Sequence, residues 1–332
     1  MQVNIQFNWV KGPSGGANQF LQKLKRHFEE KDMYTSDIEK STVVILNSSP
    51  DNFRKLWLRS WWKSQKYDIA LINRIDGPVS LIRGKFSGRI YDKCFQLFSR
   101  YLANYTIFQS RWSASKMLEY GNVGEYSIIS NGSNRMMEGF VEIKPGAPLK
   151  VLISTWSDNK RKGFDYYRKL DDWLLKVQNI EVEFIGNTAH RFKVIKDLGV
   201  MDHDELLHKM SDYDIYITAS ENDPCSNSLI EAVACGLIPL TLDSGGHPEI
   251  IKDPSLTFNN FSGLTEILEH IQKRGYVYYP HEEINIGNAF SKYEEIISYV
   301  KCRNKKIFPS VLLVPILYAM TSISRVLEKL DY

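Results

Sequence analysis

The chain has 332 residues, enough for two domains of ordinary size, and its 43% hydrophobic and 24% charged residues are typical of a folded protein rather than a disordered one. A formal net charge of +3 is too small to indicate nucleic-acid binding, and no nucleic-acid partner is predicted. The four cysteines contain no CxxC pair, so neither a structural zinc site nor a disulfide framework is indicated, and a reducing compartment is expected. They are Cys94, Cys225, Cys235 and Cys302.

Strand-like and helical segments alternate along the whole chain. The segment VNIQFNWV is typical of a strand, the glycine loop GPSGGANQ follows it, and FLQKLKRHFEEK has apolar residues at helical spacing. Further strands are predicted at STVVILNSS, YDIALINRID, YTIFQS, EYSIISNG, LKVLISTW, IEVEFIGN, YDIYITAS and LIPLTLDS. This alternation predicts parallel sheets covered by helices on both faces. The N-terminal segment lacks the pattern of a signal peptide, so a cytoplasmic protein is expected.

The break between two domains is predicted near NGSNRMMEGFVEIKPGAPLK, which is rich in Gly and Pro and has no amphipathic period. The sequence therefore predicts a first Rossmann-like domain at residues 1–135, a linker at 136–148, a second Rossmann-like domain at 149–300 and a helical tail at 301–332.

The tail begins with basic residues and continues as a largely apolar run at residues 307–323 that contains two prolines. The basic residues are Lys301, Arg303, Lys305 and Lys306. One interpretation is a helix packed on the protein's own surface. The other is a helix lying in an anionic membrane interface, which would place the protein on the inner face of a membrane. A membrane span is less favoured, because the apolar run is short and interrupted.

The segment SENDPCSNSLIEAVACGLIPLTLDSGGHPEI, residues 220–250, carries most of the chemistry. Ser226 and Asn227 are good N-cap residues, and the helix that follows should end at Gly236. Free N–H groups at the start of this helix would face the carboxyl end of the sheet and favour a phosphate. Glu231 lies about one turn further along, and its carboxylate suits two sugar hydroxyls, such as those of a ribose.

The spacing from Asp223 over seven residues to Glu231, followed by EAVACG and GGHPEII, resembles the signature of family-four retaining glycosyltransferases. That family has Glu-(seven residues)-Glu, Ala-x-Ala-x-Gly and Gly-Gly-x-x-Glu. Further residues in register are Ser228, Gly236, Gly245, Gly246 and Glu249. The resemblance covers the second domain closely and the first loosely. It implies the α/β fold called GT-B, in which two Rossmann-like domains face each other across a cleft.

The resemblance also implies roles for individual residues. Glu231 takes the place of the ribose-binding Glu, and Asp223 stands where the family has a Glu that contacts the donor sugar. Lys162, before Gly163, matches the family's Lys-Gly at the diphosphate. The family's Arg lies five residues earlier, where this chain has Ser157; either Lys160 or Arg161 substitutes for it, or the site has one cation fewer.

Two loops of the first domain are further candidates. Gly15 and Gly16 resemble the family's N-terminal glycine loop and would let the backbone approach the diphosphate or the acceptor. In INRIDGP, Arg74 and Asp76 are either contacts to a substrate or an ion pair that fixes a turn. Many relatives have a histidine in this region, and this chain has none. We assign His247 to the Gly-Gly-His-Pro-Glu turn rather than to a catalytic base.

The sequence thus predicts a retaining, metal-independent glycosyltransferase with no cofactor. A UDP- or GDP-sugar would donate its sugar to a hydroxyl acceptor in polysaccharide, lipopolysaccharide or glycolipid synthesis. Asp223, Lys162 and Asp76 are the predicted catalytic residues. The residues expected to bind the nucleotide or donor are Glu231, Arg161, Gly15, Gly16, Ser226, Asn227 and Ser228. The alternatives are a nucleotide-sugar epimerase of similar fold and a non-catalytic nucleotide-binding paralogue.

Overall fold

The computed structural model describes residues 1–10, 16–157, 159–301 and 310–330. These residues form two compact units. The first unit contains residues 1–10, 17–130, 289–301 and 310–330. The second contains residues 131–157 and 159–288, together with Gly16.

The strands, in chain order, are short. They are β1 (Val3–Gln6), β2 (Val43–Ser48), β3 (Ala70–Ile75), β4 (Tyr105–Phe108), β5 (Tyr126–Ile128), β6 (Val141–Ile143), β7 (Leu149–Thr155), β8 (Ile180–Gly186), β9 (Lys196–Asp197), β10 (Ile215–Thr218), β11 (Ile238–Leu242), β12 (Thr257–Phe258) and β13 (Tyr276–Tyr278).

The α-helices lie between the strands or follow the last of them. They are α1 (Gly16–Glu30), α2 (Pro50–Lys66), α3 (Val79–Arg83), α4 (Phe86–Tyr101), α5 (Arg111–Leu118), α6 (Phe164–Leu174), α7 (His203–Met210), α8 (Asn227–Ala234), α9 (His247–Ile251), α10 (Phe261–Arg274), α11 (Ile286–Lys301) and α12 (Ser310–Leu330).

The first unit contains a parallel sheet of order β1-β2-β3-β4-β5. Every residue of β2 and β3 is buried, as expected for a parallel sheet with both faces covered. Aromatic residues of α2 and α4 pack together in its core, where Phe53 contacts the rings of Trp57, Phe95 and Phe98.

The second unit contains a parallel sheet of order β12-β11-β10-β7-β8-β9 and an antiparallel pair of β6 with β13. The chain runs outward from β7 through β8 in one direction and from β10 through β11 in the other. The strand order therefore reverses between β7 and β10. Open α/β sheets bind ligands at such a point, beyond the carboxyl ends of the strands. Both units are thus Rossmann-like, as the sequence predicts.

The boundaries of the units differ from the predicted ones, and we correct them here. Residues 131–135, predicted in the first domain, and residues 136–148, predicted as a linker, belong to the second unit: the N–H of Met137 donates to the carbonyl of Ala234 (2.8 Å), and β6 pairs with β13. Residues 289–300, predicted in the second domain, belong to the first unit. Their α11 side chains reach back to it, and Glu294 lies 2.6 Å from His27.

The helix of the predicted tail, α12, packs against α4. Leu317 is fully buried in the core of the first unit, and the hydroxyl of Ser324 donates to the carbonyl of Ser87 (3.1 Å). One face of the tail helix is therefore packed on the protein's own surface. Within the described ranges, no helix combines the length and the apolar character that crossing a membrane requires.

Candidate active site

Loops at the carboxyl ends of three neighbouring strands of the second unit bring the predicted donor residues together. A short 3-10 turn, Lys160–Lys162, follows β7. Asp223 follows β10, and the Gly-Gly turn follows β11. The first two loops flank the point where the strand order reverses, so this site lies where the fold predicts a ligand.

The turn Lys160–Lys162 is fixed against the end of β10. The carbonyl of Arg161 accepts from the N–H of Glu221 (2.8 Å), and Asn159 caps the turn by accepting from the N–H of Arg161 (3.0 Å). Gly163 has φ +89°, and a Cβ there would come within 2.6 Å of the Cβ of Ala219. Only glycine therefore allows the turn to approach the neighbouring strand this closely, which explains the Lys-Gly pair.

Asp223 forms a salt bridge with Lys162. The Nζ of Lys162 is 3.2 Å from Oδ2 of Asp223, and the N–H of Cys225 donates to Oδ1 (3.2 Å). Burial would raise the pKa of Asp223, but Lys162, nearby His247 and the hydrogen bonds together outweigh it and hold the pKa below its ordinary value. Asp223 is therefore ionised at neutral pH and bound to a cation.

The Gly-Gly turn after β11 supports the backbone of Asp223. The carbonyl of Asp223 accepts from the N–H of Gly246 (2.8 Å). Gly245 has φ +66°, and a Cβ at this position would lie 2.2 Å from the same carbonyl oxygen. The N–H of Asn222 donates to the hydroxyl of Ser244 (2.9 Å). The Gly-Gly sequence thus lets two loops pack together and fixes the carboxylate.

Helix α8 begins at Asn227, four residues after Asp223 in the sequence. Ser226 is its N-cap and accepts from the N–H of Leu229 (3.4 Å), and the hydroxyls of Ser226 and Ser228 are 3.3 Å apart. Asn227 accepts on its Oδ1 from the side chain of Asn131 (2.8 Å). The positive end of the helix dipole therefore lies within a few residues of Asp223, as a phosphate site requires.

Glu231 is buried in α8, one turn after its start. Its Oε1 lies 3.6 Å from Nε2 of His203, the first residue of α7. The sequence analysis missed His203. His203 is the first residue of α7 because Asp202 caps the helix by accepting from the N–H of Glu205 (2.8 Å). Nothing in the sequence indicates that the first residue of α7 lies close to α8 in the folded protein.

Arg161 and His247 have other partners in this structure. Arg161 lies 3.7 Å from Glu221, and both side chains are at least one-third exposed, so this pair is weak. His247 is fully buried, and its Nδ1 lies 3.2 Å from the carbonyl of Leu242. Burial lowers the pKa of His247 despite the nearby Asp223, so its imidazole is neutral at pH 7.

The first unit holds Asp76, the third predicted catalytic residue, in its own polar cluster. Arg74 is fully buried and donates to Asp76 (2.6 Å), to Asn47 (2.5 Å) and, through Nε, to the hydroxyl of Tyr293 (3.1 Å). Asn47 and Gln109 also donate to the carboxylate of Asp76, at 2.9 and 3.2 Å. Asn47, Arg74, Asp76 and Gln109 lie at or just after the carboxyl ends of β2, β3 and β4, and Tyr293 lies on α11. The predicted Arg-Asp pair is present, and Asn47, Gln109 and Tyr293 were missed.

The glycine loop is only partly described. Gly15 lies outside the described residues, and Gly16 is the first residue of α1. Among the residues that the structure describes, no group of three or more His, Cys, Asp or Glu side chains is arranged to hold a metal ion.

Residues 160–297 match the family described as glycosyl transferases group 1. No curated protein matches the chain. Sucrose-phosphate synthase from Thermosynechococcus elongatus is similar in structure, with a TM-score of 0.53 and 13% identity over 96% of this chain and 81% of that one.

Two further solved structures are similar. The trehalose-6-phosphate protein from E. coli, with bound UDP-2-fluoro glucose, has a TM-score of 0.58 and 9% identity over 92% of this chain and 100% of that one. The pneumococcal O-GlcNAc transferase GtfA, in complex with UDP and GlcNAc, has a TM-score of 0.55 and 11% identity over 84% of this chain and 60% of that one. Identities this low show the fold alone. With the family match, they confirm the predicted GT-B fold and the resemblance to glycosyltransferases, and nucleotide-sugar glycosyl transfer is the function that they fit.

Proposed function

We propose, from the premise that residues 160–297 match glycosyl transferases group 1, that this chain is a retaining, metal-independent glycosyltransferase. It moves a sugar from a nucleoside diphosphate sugar to a hydroxyl acceptor and requires no cofactor. The observation that carries the proposal is the Lys162–Asp223 salt bridge at the reversal point of the sheet, next to the start of α8.

The diphosphate binds Lys162 and the N–H groups at the start of α8. Lys162 is about one-third exposed, so its ammonium group can reach a ligand. The N-cap at Ser226 leaves N–H groups of the first turn for an anion. Charge builds up on the departing diphosphate during the reaction, and prearranged positive groups at that point lower the barrier. The same groups supply the charge neutralisation for which other transferases use a metal.

The donor sugar and the ribose bind the two carboxylates. Asp223 is ionised and fixed by its backbone contact to Gly246, so it accepts hydrogen bonds from sugar hydroxyls. Glu231 accepts from the ribose hydroxyls, and Nε2 of His203 lies 3.6 Å from its carboxylate. Arg161 lies on the same turn as Lys162 and adds a second cation when it leaves Glu221.

The transfer needs no separate base. The bond from the anomeric carbon to the β-phosphate oxygen breaks, and the bond from that carbon to the acceptor oxygen forms on the same face. The departing phosphate oxygen takes the proton of the acceptor hydroxyl, so atoms and charge balance. Asp76, held by Arg74, contacts the acceptor. The acceptor is a polysaccharide, a lipopolysaccharide or a glycolipid, and the protein is cytoplasmic.

The test is calorimetric titration of UDP, GDP, ADP and CMP into the wild type and Glu231→Ala. One diphosphate should bind, and the variant should lose about 1.5–3 kcal/mol, the usual contribution of a hydrogen bond to a charged group. That is roughly a ten- to hundredfold loss of affinity. Glu269→Ala, which alters an exposed carboxylate paired with Lys273, is the matched control and should bind like the wild type.

Absence of binding to well-folded wild type would reject the proposal and favour a non-catalytic protein. With the donor base known, the anomeric configuration of the product is read by NMR. An inverted product would contradict retention. Conversion of the donor to its epimer without an acceptor would identify an epimerase. Full activity after exhaustive chelation is expected, and its loss would overturn the metal-independent mechanism.

A further inference from the structure

We propose that α2 and α12 together form a binding surface for an anionic lipid membrane, with an apolar stripe that enters the interface and basic residues around it. The proposal does not depend on sugar transfer. It replaces the two alternatives for the tail, because α12 uses one face for the protein and the other for the membrane.

The outer face of α12 carries a continuous apolar stripe. Leu312, Ile316, Ala319, Ile323 and Val326 follow one another at spacings of four, three, four and three residues, which places them on one side of a helix. All five are exposed, and the four large ones are between 53% and 71% exposed. The surfaces of soluble proteins rarely carry a row of large apolar side chains like this one, and such rows mark interaction sites.

Another face of the same helix packs against the first unit. Leu317 is buried against the core of the first unit, and Ser324 is bonded to Ser87 on α4. The helix is therefore held by the protein without its outer stripe. The stripe is left for an external partner.

Helix α2 contributes a second part of the surface. Leu58 and Trp62, one turn apart, are 38% and 50% exposed. Lys55, Arg59 and Lys66 are exposed on the same side of the helix. Tryptophan among lysine and arginine is typical of the interface between lipid headgroups and acyl chains, because its ring is apolar and its N–H is polar.

An open groove of about 600 Å³ joins the two helices. Its walls include Trp57 and Trp62 from α2 and Tyr318, Ser322 and Arg325 from α12. The stripe itself does not line this groove, but Ser322 and Arg325 are shared with a second groove that Val326 of the stripe lines. The two grooves therefore connect the exposed apolar residues of α2 to the end of the stripe on α12. Tyr318 is 60% exposed beside the groove, which adds a second aromatic side chain with a polar end.

The charge of this surface identifies the partner. Arg54 pairs with Asp51 and with Glu328. Five exposed cations of α2 and α12 form no salt bridge with any described residue, and they are Lys55, Arg59, Lys66, Arg325 and Lys329. This excess of positive charge favours an anionic partner.

A membrane fits this surface better than a second copy of the chain. Two copies meeting through the same face would bring like charges together, which costs free energy at an interface. An anionic bilayer offers acyl chains to the stripe and headgroups to the cations at once. The helix lies in the interface and does not cross it, because its other face remains in the protein.

The test is co-sedimentation of the full chain with phosphatidylcholine vesicles, with and without phosphatidylglycerol. The wild type should bind only the anionic vesicles, and binding should weaken with salt. Lys55→Glu/Arg59→Glu should lower the partition coefficient roughly tenfold or more, since each basic residue near an anionic surface adds to binding. Ile316→Ser/Ile323→Ser/Val326→Ser should lower it at least about tenfold through loss of inserted apolar area.

Matched controls alter similar residues of the second unit. Lys169→Glu/Lys176→Glu reverses two exposed lysines, and Leu175→Ser/Val194→Ser/Val277→Ser removes three exposed apolar side chains. Both should bind vesicles like the wild type or nearly so. Point substitutions are preferable to removal of residues 306–332, because that deletion would uncover the core around Leu317. Thermal unfolding of every variant checks that it is folded.

Three outcomes would overturn the proposal. They are a wild type that ignores anionic vesicles at low salt, equal losses in the α2/α12 and control variants, and a wild-type dimer that dissociates when the stripe is substituted. The last identifies a second copy as the partner. The nucleotide titration reports on the second unit, so failure of the membrane proposal is distinguishable from failure of the proposed transferase.

Discussion

The two predicted catalytic carboxylates, one in each unit, are both held by a cation, but in opposite ways. Asp223 is paired with Lys162, whose flexible side chain is about one-third exposed. Asp76 is paired with Arg74, which is fully buried and also bonded to Asn47 and to Tyr293.

This difference indicates what each cation can do. Lys162 can leave Asp223 when a phosphate arrives, since it has a free path to solvent and only this carboxylate as its salt-bridge partner among the described residues. Arg74 cannot follow a ligand, because three groups of the protein hold its guanidinium. We therefore regard Lys162 as a substrate-binding cation and Arg74 as a positioning residue that orients Asp76.

The largest expected effect is on stability, at Arg74. Arg74→Ala removes the fully buried guanidinium that holds Asp76 and donates to Asn47 and Tyr293, so the free energy of unfolding should fall by about 3–5 kcal/mol. Lys162→Ala should lower it by less, because the ammonium group that it removes is about one-third exposed and pairs with Asp223 alone among the described residues. Urea unfolding of both variants measures the difference.

If Arg74→Ala and Lys162→Ala lose equal amounts of unfolding free energy, the distinction between a positioning residue and a substrate-binding cation is wrong. Asp76→Asn is a milder variant of the same cluster, since an amide still accepts from Arg74. If Arg74→Ala does not fold, Asp76→Asn should remain folded. It should raise the KM for the acceptor and leave nucleotide affinity unchanged.

The next effect is on catalysis, at Lys162. Lys162→Ala should lower kcat by roughly 10²–10³-fold, the usual effect of removing one prearranged group that stabilises developing charge. The pKa of Asp223 should rise in this variant, because burial then acts without its main opposing charge. Single-turnover kinetics with saturating donor measure the first effect, and Lys162→Arg should restore part of the rate.

Lys160→Ala is the matched control, since Lys160 is an exposed lysine on the same turn. If both alanine variants lose the same activity, the role of Lys162 is general electrostatic attraction. If neither loses activity, the diphosphate site lies elsewhere.

Much of the second unit was predictable from sequence because its signals are local. The β-branched runs at β7, β10 and β11 are strands, and they are fully or mostly buried, as parallel strands are. Ser226 caps α8, and Gly236, with φ +91°, follows its end. Each of these features depends on residues a few positions apart, so a single sequence contains the information.

The contacts that complete the sites were not predictable in the same way. His203 reaches Glu231 from another helix. Asn47 on β2 and Gln109 after β4 reach Asp76 because both strands pair with β3 in the folded sheet. Their partners depend on strand order, which no local pattern encodes. The return of the chain to the first unit after residue 288 was missed for the same reason. The later helix α12 packs on α4, which lies more than two hundred residues earlier in the chain.

The smallest expected effect concerns the support of Asp223 by the Gly-Gly turn. Gly245→Ala places a Cβ 2.2 Å from the carbonyl oxygen of Asp223 and also forces alanine to φ +66°. Gly146→Ala is the control, since Gly146 has φ +76° but no atom within 4 Å of the added Cβ. Both should lose about 1–3 kcal/mol of stability from the backbone conformation alone.

Only Gly245→Ala should also weaken donor binding, because the displaced loop moves the carboxylate of Asp223 away from the sugar. Calorimetry of both variants with the cognate nucleotide sugar separates the two costs. Equal affinities would show that the Gly-Gly turn serves the fold, and that the orientation of Asp223 depends on Lys162 and Cys225 instead.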